Sequence, residues 1–154
     1  MRSELNRKGA DQVRTKSNKA MENMDNVQTV STDTDMGPSI LVVDDEQNFA
    51  ALLETVLTDR GYEVQTAMSG EAALKLAGQG TFNLALLDIR MGQTNGLALL
   101  GELKQRLPKI KVIMITAYPT PDSYRQSLQK GASAFFAKPV DLQELLQTVR
   151  RLLS

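Results

Sequence analysis

The chain contains no cysteine, no histidine and no tryptophan. Without cysteine there is no disulfide, no thiolate nucleophile and no thiolate-ligated metal. Without histidine there is no imidazole ligand, no Ser–His triad and no internal phosphohistidine. Aromatic residues make up only 5% of the 154 positions, so any core is aliphatic, and a hydrophobic fraction of 42% suffices for one. Lys plus Arg and Asp plus Glu each total 18, a formal net charge of zero. That balance gives no general attraction to nucleic acid or to anionic lipid. No apolar run reaches the roughly 20 residues a membrane helix needs. Residues 1–9 are polar and lack the apolar centre of a signal peptide. The expectation is a cytoplasmic protein without direct nucleic-acid binding and without a membrane span.

The chain divides into two unequal parts. Residues 1–37 are rich in Asn, Ser, Thr, Lys and Asp, and their apolar residues are too sparse to offset the entropy of ordering. A disordered N-terminal extension is expected there. Its first half is basic (Arg2, Arg7, Lys8, Arg14, Lys16, Lys19) and its second half acidic (Glu22, Asp25, Asp33, Asp35). A solvated tail or leader and a docking arm with a transient helix over residues 11–28 are the two readings. Gly37-Pro38 closes the segment, and residues 38–154 form the expected folded domain.

From Ser39 strands and helices alternate. Ile40-Leu41-Val42-Val43, Leu84-Ala85-Leu86-Leu87 and Val112-Ile113-Met114-Ile115 are short apolar runs suited to strands buried on both faces. Val64 with Thr66, and Ala134-Phe135-Phe136-Ala137, mark two more strands. Between them lie helical stripes: Phe49, Leu52, Leu53, Val56 and Leu57; Ala72, Ala73 and Leu76; Leu97, Leu100, Leu103 and Leu107; and finally Leu142, Leu145, Leu146, Val149 and Leu152. Ser69 and Thr120-Pro121 read as helix starts, Asp141 with Glu144 as a capping box, and Gly61 and Gly131 as stops. Five βα units predict an α/β fold, a parallel sheet with helices on both faces, and their number fits a doubly wound, five-stranded sheet of flavodoxin-like order 2-1-3-4-5.

In such a sheet the active crevice lies beyond the carboxyl ends of the strands. The first strand ends in Asp44-Asp45-Glu46, the third in Asp88, the fourth in Thr116 and the fifth in Lys138-Pro139. Asp44, Asp45 and Asp88 would therefore converge with one hydroxyl and one ammonium. Carboxylates gathered in a partly buried site repel one another, and Lys138 alone does not compensate them. A divalent cation would. The donors are all hard oxygens, which points to Mg²⁺ or Mn²⁺. A carboxylate beside such an ion is suited to forming an aspartyl phosphate. Ordinary readings stand beside these: strand-end aspartates are common, Thr116 fits a plain strand residue, Phe135 fits a core, and Met91 reads as packing.

Together, Ile40-Leu41-Val42-Val43-Asp44-Asp45-Glu46, Leu87-Asp88-Ile89-Arg90-Met91, Ile115-Thr116-Ala117 and Ala137-Lys138-Pro139 resemble the response-regulator receiver family of two-component signalling. The resemblance spans residues 39–154. It implies that Asp88 is the phosphoacceptor, that Asp45, Asp88 and the backbone carbonyl of Arg90 ligate Mg²⁺, and that Asp44 orients a coordinated water. It implies that Lys138 pairs with Asp88 before phosphorylation and contacts the phosphoryl oxygens after it. Thr116 would bind a phosphoryl oxygen and move, with Phe135 turning inward as the aromatic switch. The Lys138–Pro139 bond would be cis, and the small Ala117 would leave the phosphate accessible.

Two departures stand out. Gly92 occupies a position where the family usually has Pro, which is expected to loosen that loop. Tyr118-Pro119-Thr120-Pro121 is unusually rich in proline and is expected to stiffen the segment after Thr116. Other functions on the fold fit less well. Asp-nucleophile phosphatases place a second Asp two residues on, where this chain has Arg90. A flavin or nucleotide site would set Asp44-Asp45-Glu46 against phosphate. The remaining alternative is an unphosphorylated receiver-like scaffold for protein binding.

With no histidine of its own, the chain would take its phosphoryl group from a histidine kinase, a phosphotransfer protein or a small phosphodonor. Ser154 lies one helix past Lys138-Pro139. As a full product the chain is expected to be a stand-alone receiver that signals through its fourth helix, fifth strand and fifth helix. As a fragment, it would lack a C-terminal effector domain. A monomer and a phosphorylation-linked dimer are both compatible with the residues.

Overall fold

The computed structural model describes residues 37–154. The expected disordered extension, apart from Gly37, lies outside the described residues.

The apolar runs become strands β1 (Ser39–Val43), β2 (Glu63–Ala67), β3 (Leu84–Asp88), β6 (Lys111–Thr116) and β7 (Ala134–Ala137). They form one sheet in the order β2-β1-β3-β6-β7, and every pairing is parallel. The expected flavodoxin-like order is therefore present. The helices are α1 (Gln47–Asp59), α2 (Gly70–Gln79), α3 (Gly96–Arg106), α4 (Pro121–Gln129) and α5 (Leu142–Leu153). Two short strands that the residue pattern did not suggest, β4 (Arg90–Met91) and β5 (Thr94–Asn95), pair antiparallel just after β3.

Side chains alternate along a strand, so each central strand feeds two cores. Ile40, Val42, Leu84, Leu86, Ile113 and Ile115 face one side and pack with Leu53, Leu57, Leu145 and Val149 of α1 and α5. Leu41, Val43, Ala85, Leu87, Val112 and Met114 face the other, against Ala73 of α2 and Leu97, Leu100 and Leu103 of α3. Each fully buried Leu or Ile contributes about 2 kcal/mol relative to exposure. Helix α4 is different: Ser127 is its one buried residue.

Capping follows the sequence closely. Ser69 Oγ accepts the Ala72 N–H at 3.1 Å, and Asn95 Oδ1 accepts the Leu97 N–H at 2.9 Å. Thr120 and Ser123 cap α4 reciprocally, with Pro121 in its first turn. Asp141 accepts the Glu144 N–H at 3.1 Å, one half of the expected box. Helix α1 alone has no side-chain cap among these five, although Glu46 stands at its N-cap.

Candidate functional site

The parallel register sets Val43 beside Leu87, Leu87 beside Met114, and Thr116 beside Ala137. Consequently Asp44, Asp88, Thr116 and Lys138 emerge along one edge of the sheet. Backbone bonds fix the loops that carry them: the Asp44 N–H donates to the Ala67 carbonyl at 3.1 Å, and the Lys138 N–H to the Thr116 carbonyl at 2.8 Å. The Lys138–Pro139 peptide is cis, as the resemblance implied.

Asp44, Asp88 and Thr116 are buried, whereas Asp45 is exposed. One oxygen of Asp44 accepts the Glu46 N–H at 2.8 Å, and one oxygen of Asp88 accepts the Arg90 N–H at 3.1 Å. Their second oxygens face Lys138 Nζ, at 2.8 Å for Asp44 and 3.3 Å for Asp88. Glu46 Oε1 takes a third bond from the same ammonium at 3.2 Å. The expected pair of Lys138 with Asp88 is thus present but shared, and its shorter partner is Asp44. The residue pattern did not assign Glu46 to this ammonium. Engaged with Lys138, its side chain does not cap α1.

Charge makes the arrangement self-consistent. Burial pushes the Asp88 carboxyl above its usual range, and the charge of Asp44 adds to the rise. The Arg90 N–H and Lys138 oppose it without cancelling it. For Lys138, burial disfavours the charge, but the hydrogen bond and charge of Asp44, the charge of Asp88 and the bond to Glu46 outweigh that cost. Its pKa is held above the ordinary lysine value. The site still carries more carboxylates than ammonium groups. One carboxylate oxygen from each of Asp44, Asp45 and Asp88 lies within 4.8 Å of the others. An all-oxygen set this close suits a hard divalent cation that retains several waters.

Thr116 Oγ1 accepts the Tyr118 N–H at 3.1 Å, which leaves its own O–H proton free to donate. Phe135 is half-buried, and its ring meets that of Tyr124 edge-on, with centroids 5.4 Å apart. Ala117 is exposed beside the site. The Arg90 guanidinium lies over the exposed ring of Tyr118, 4.7 Å from its centroid. Met91 is buried, in keeping with a packing role.

The loop after Asp88 forms a hairpin, with Gly92 at φ +51° in its turn. Proline, fixed near −65°, does not reach that conformation. Thr94 Oγ1 accepts the Gly70 N–H at 3.2 Å and ties the hairpin to α2. Gly96 leaves no room for a side chain, because a β-carbon there would meet the Asp88 carbonyl oxygen.

Comparison with known proteins agrees with this geometry. The family model described as response regulator receiver domain matches residues 40–150. The transcriptional regulatory protein ZraR of Escherichia coli K12 is 36% identical over 115 residues, 75% of this chain and 26% of that protein. The chain therefore spans about a quarter of the length of this curated relative. A CheY-like response regulator receiver domain protein from Methanospirillum hungatei superposes with a TM-score of 0.74 at 33% identity, covering 76% of this chain and 94% of that one. A response regulator from Burkholderia pseudomallei, solved with a phosphorylated aspartic acid, calcium ion and citrate, gives 0.69 at 31% identity, covering 76% and 66%.

Proposed function

Because the chain belongs to the response regulator receiver domain family of two-component signalling, we propose that residues 38–154 form a receiver in which Asp88 accepts a phosphoryl group. Asp45, Asp88 and the Arg90 backbone carbonyl would hold Mg²⁺, or Mn²⁺, with Asp44 orienting a coordinated water. The observation that carries this reading is the convergence of three carboxylates within 4.8 Å of one another, with Lys138 bridging two of them. The phosphorylated aspartate of the Burkholderia regulator supports it.

An Asp88 carboxylate oxygen attacks phosphorus. The bond from phosphorus to the donor's nitrogen or oxygen breaks, and the donor leaves with the electron pair. When bound, Mg²⁺ supplies positive charge against the phosphoryl oxygens. Lys138, already turned to Asp88, neutralises a further oxygen, and Thr116 donates its free O–H to another. Positioning and charge compensation of this kind carry most of the barrier reduction in phosphoryl transfer. As Thr116 turns toward the phosphoryl group, Phe135 turns inward and the face made by α4, β7 and α5 changes shape.

The phosphodonor is a histidine kinase or phosphotransfer protein. The output is either a protein bound at that face or an effector domain C-terminal to it, with the chain monomeric or dimerising on phosphorylation. Among the described residues no helix is long and apolar enough to cross a membrane, and the cytoplasm is the compartment this reading requires. The test is to incubate the chain with acetyl phosphate, with and without Mg²⁺, and to weigh it intact beside Asp88→Asn. The expected result is a Mg²⁺-dependent gain of one phosphoryl group, absent in the variant. No gain would leave the alternative of an unphosphorylated protein-binding scaffold.

A further inference from the structure

Lys138 is held on one side by Asp44, Glu46 and Asp88 at 2.8, 3.2 and 3.3 Å. On another side lies an aromatic face: the ammonium stands 4.6 Å from the ring centroid of Phe49, in the first turn of α1. We propose that Phe49 is a positioning residue for Lys138, its ring closing the side of the ammonium that the carboxylates leave open. The inference rests on the reading of Lys138 as the group that meets the transferred phosphoryl.

Three carboxylates attract one ammonium on a flexible stem, and the attraction does not by itself select one place for it. The negative face of a phenyl ring attracts an ammonium and also excludes water from it. Both effects matter here, because Lys138 lines an open cleft of about 470 Å³ together with Phe49, Leu52, Pro139, Val140 and Leu142. Without the ring, Lys138 would lose an attraction that holds it near the carboxylates and could move further into that cleft. Leu52, one turn on along α1, is exposed. Phe49 also packs, partly buried, against the core shared by α1 and α5, so the effect of the ring has to be separated from that of apolar bulk.

Phe49→Leu keeps the apolar bulk and removes the ring. Phe49→Met is a second ringless variant, and Phe49→Tyr keeps the aromatic face. The first readout is the NMR signals of the Lys138 terminal methylene and ammonium, identified by their loss in Lys138→Arg. Ring-current shielding should vanish in both ringless variants and persist in Phe49→Tyr. The second readout is the maximal rate of phosphorylation from acetyl phosphate. It should fall about five-fold in the ringless variants, the kinetic equivalent of about 1 kcal/mol, with half-saturating Mg²⁺ unchanged and Phe49→Tyr close to wild type. A wild-type chain that is phosphorylated while Phe49→Leu matches it in rate and in Lys138 signals overturns this inference alone. Equal slowing by Leu, Met and Tyr also overturns it, since packing would then be the cause. A wild-type chain that takes no phosphoryl group overturns the functional reading and this inference with it.

Discussion

Strands β1 and β3 are buried from end to end apart from Ser39, and each delivers a buried aspartate to the site. Strand β7 has no fully buried residue, and the neighbouring α4 buries only Ser127. Asp44, Asp88 and Thr116 are thus anchored on a close-packed aliphatic core, and Lys138 on a lightly packed edge. The difference fits the proposed function, in which the carboxylates need fixed spacing and a surface reporting on their state would have to rearrange at small cost.

Substitutions sharpen that contrast. Leu87, fully buried directly before Asp88, should cost about 3 kcal/mol when changed to Ala, measured by urea unfolding. Gly96→Ala should cost about 2 kcal/mol by overpacking against the Asp88 carbonyl, and it should slow phosphorylation by displacing that backbone. On the lightly packed side, Tyr124→Ala should cost only about 1 kcal/mol, the scale of an edge-on aromatic pair. A larger loss there than for Leu87→Ala would break the comparison. Asp45→Asn should leave metal-free stability within about 0.5 kcal/mol, because the side chain is exposed. If the proposed site takes Mg²⁺, the added ion should raise the thermal midpoint of the wild type by binding the folded state, and should do so much less in this variant.

The central strands were legible because burial on both faces forces continuous apolar runs; the βα repeat implied a parallel sheet, while the order of its strands fits the flavodoxin-like fold without following from the repeat alone. Asp44, Asp88, Thr116 and Lys138 were legible because each directly ends or follows such a run. The hairpin over Arg90–Asn95 was not, since two-residue strands carry no period, and Gly92 invites a turn and a loose loop alike. Glu46 and Phe49 were hidden for another reason. In the chain Glu46 reads as part of the acidic end of the first strand and Phe49 as helix core, and only the approach of the loop after β7 to the start of α1 sets both against Lys138.

The most direct test of the account is to phosphorylate the chain with acetyl phosphate and Mg²⁺, reduce the acyl phosphate with borohydride, and locate the resulting homoserine by peptide mass spectrometry. The account predicts homoserine at position 88 and at neither 44 nor 45. Homoserine at either of those positions, or at none of the three, would contradict it.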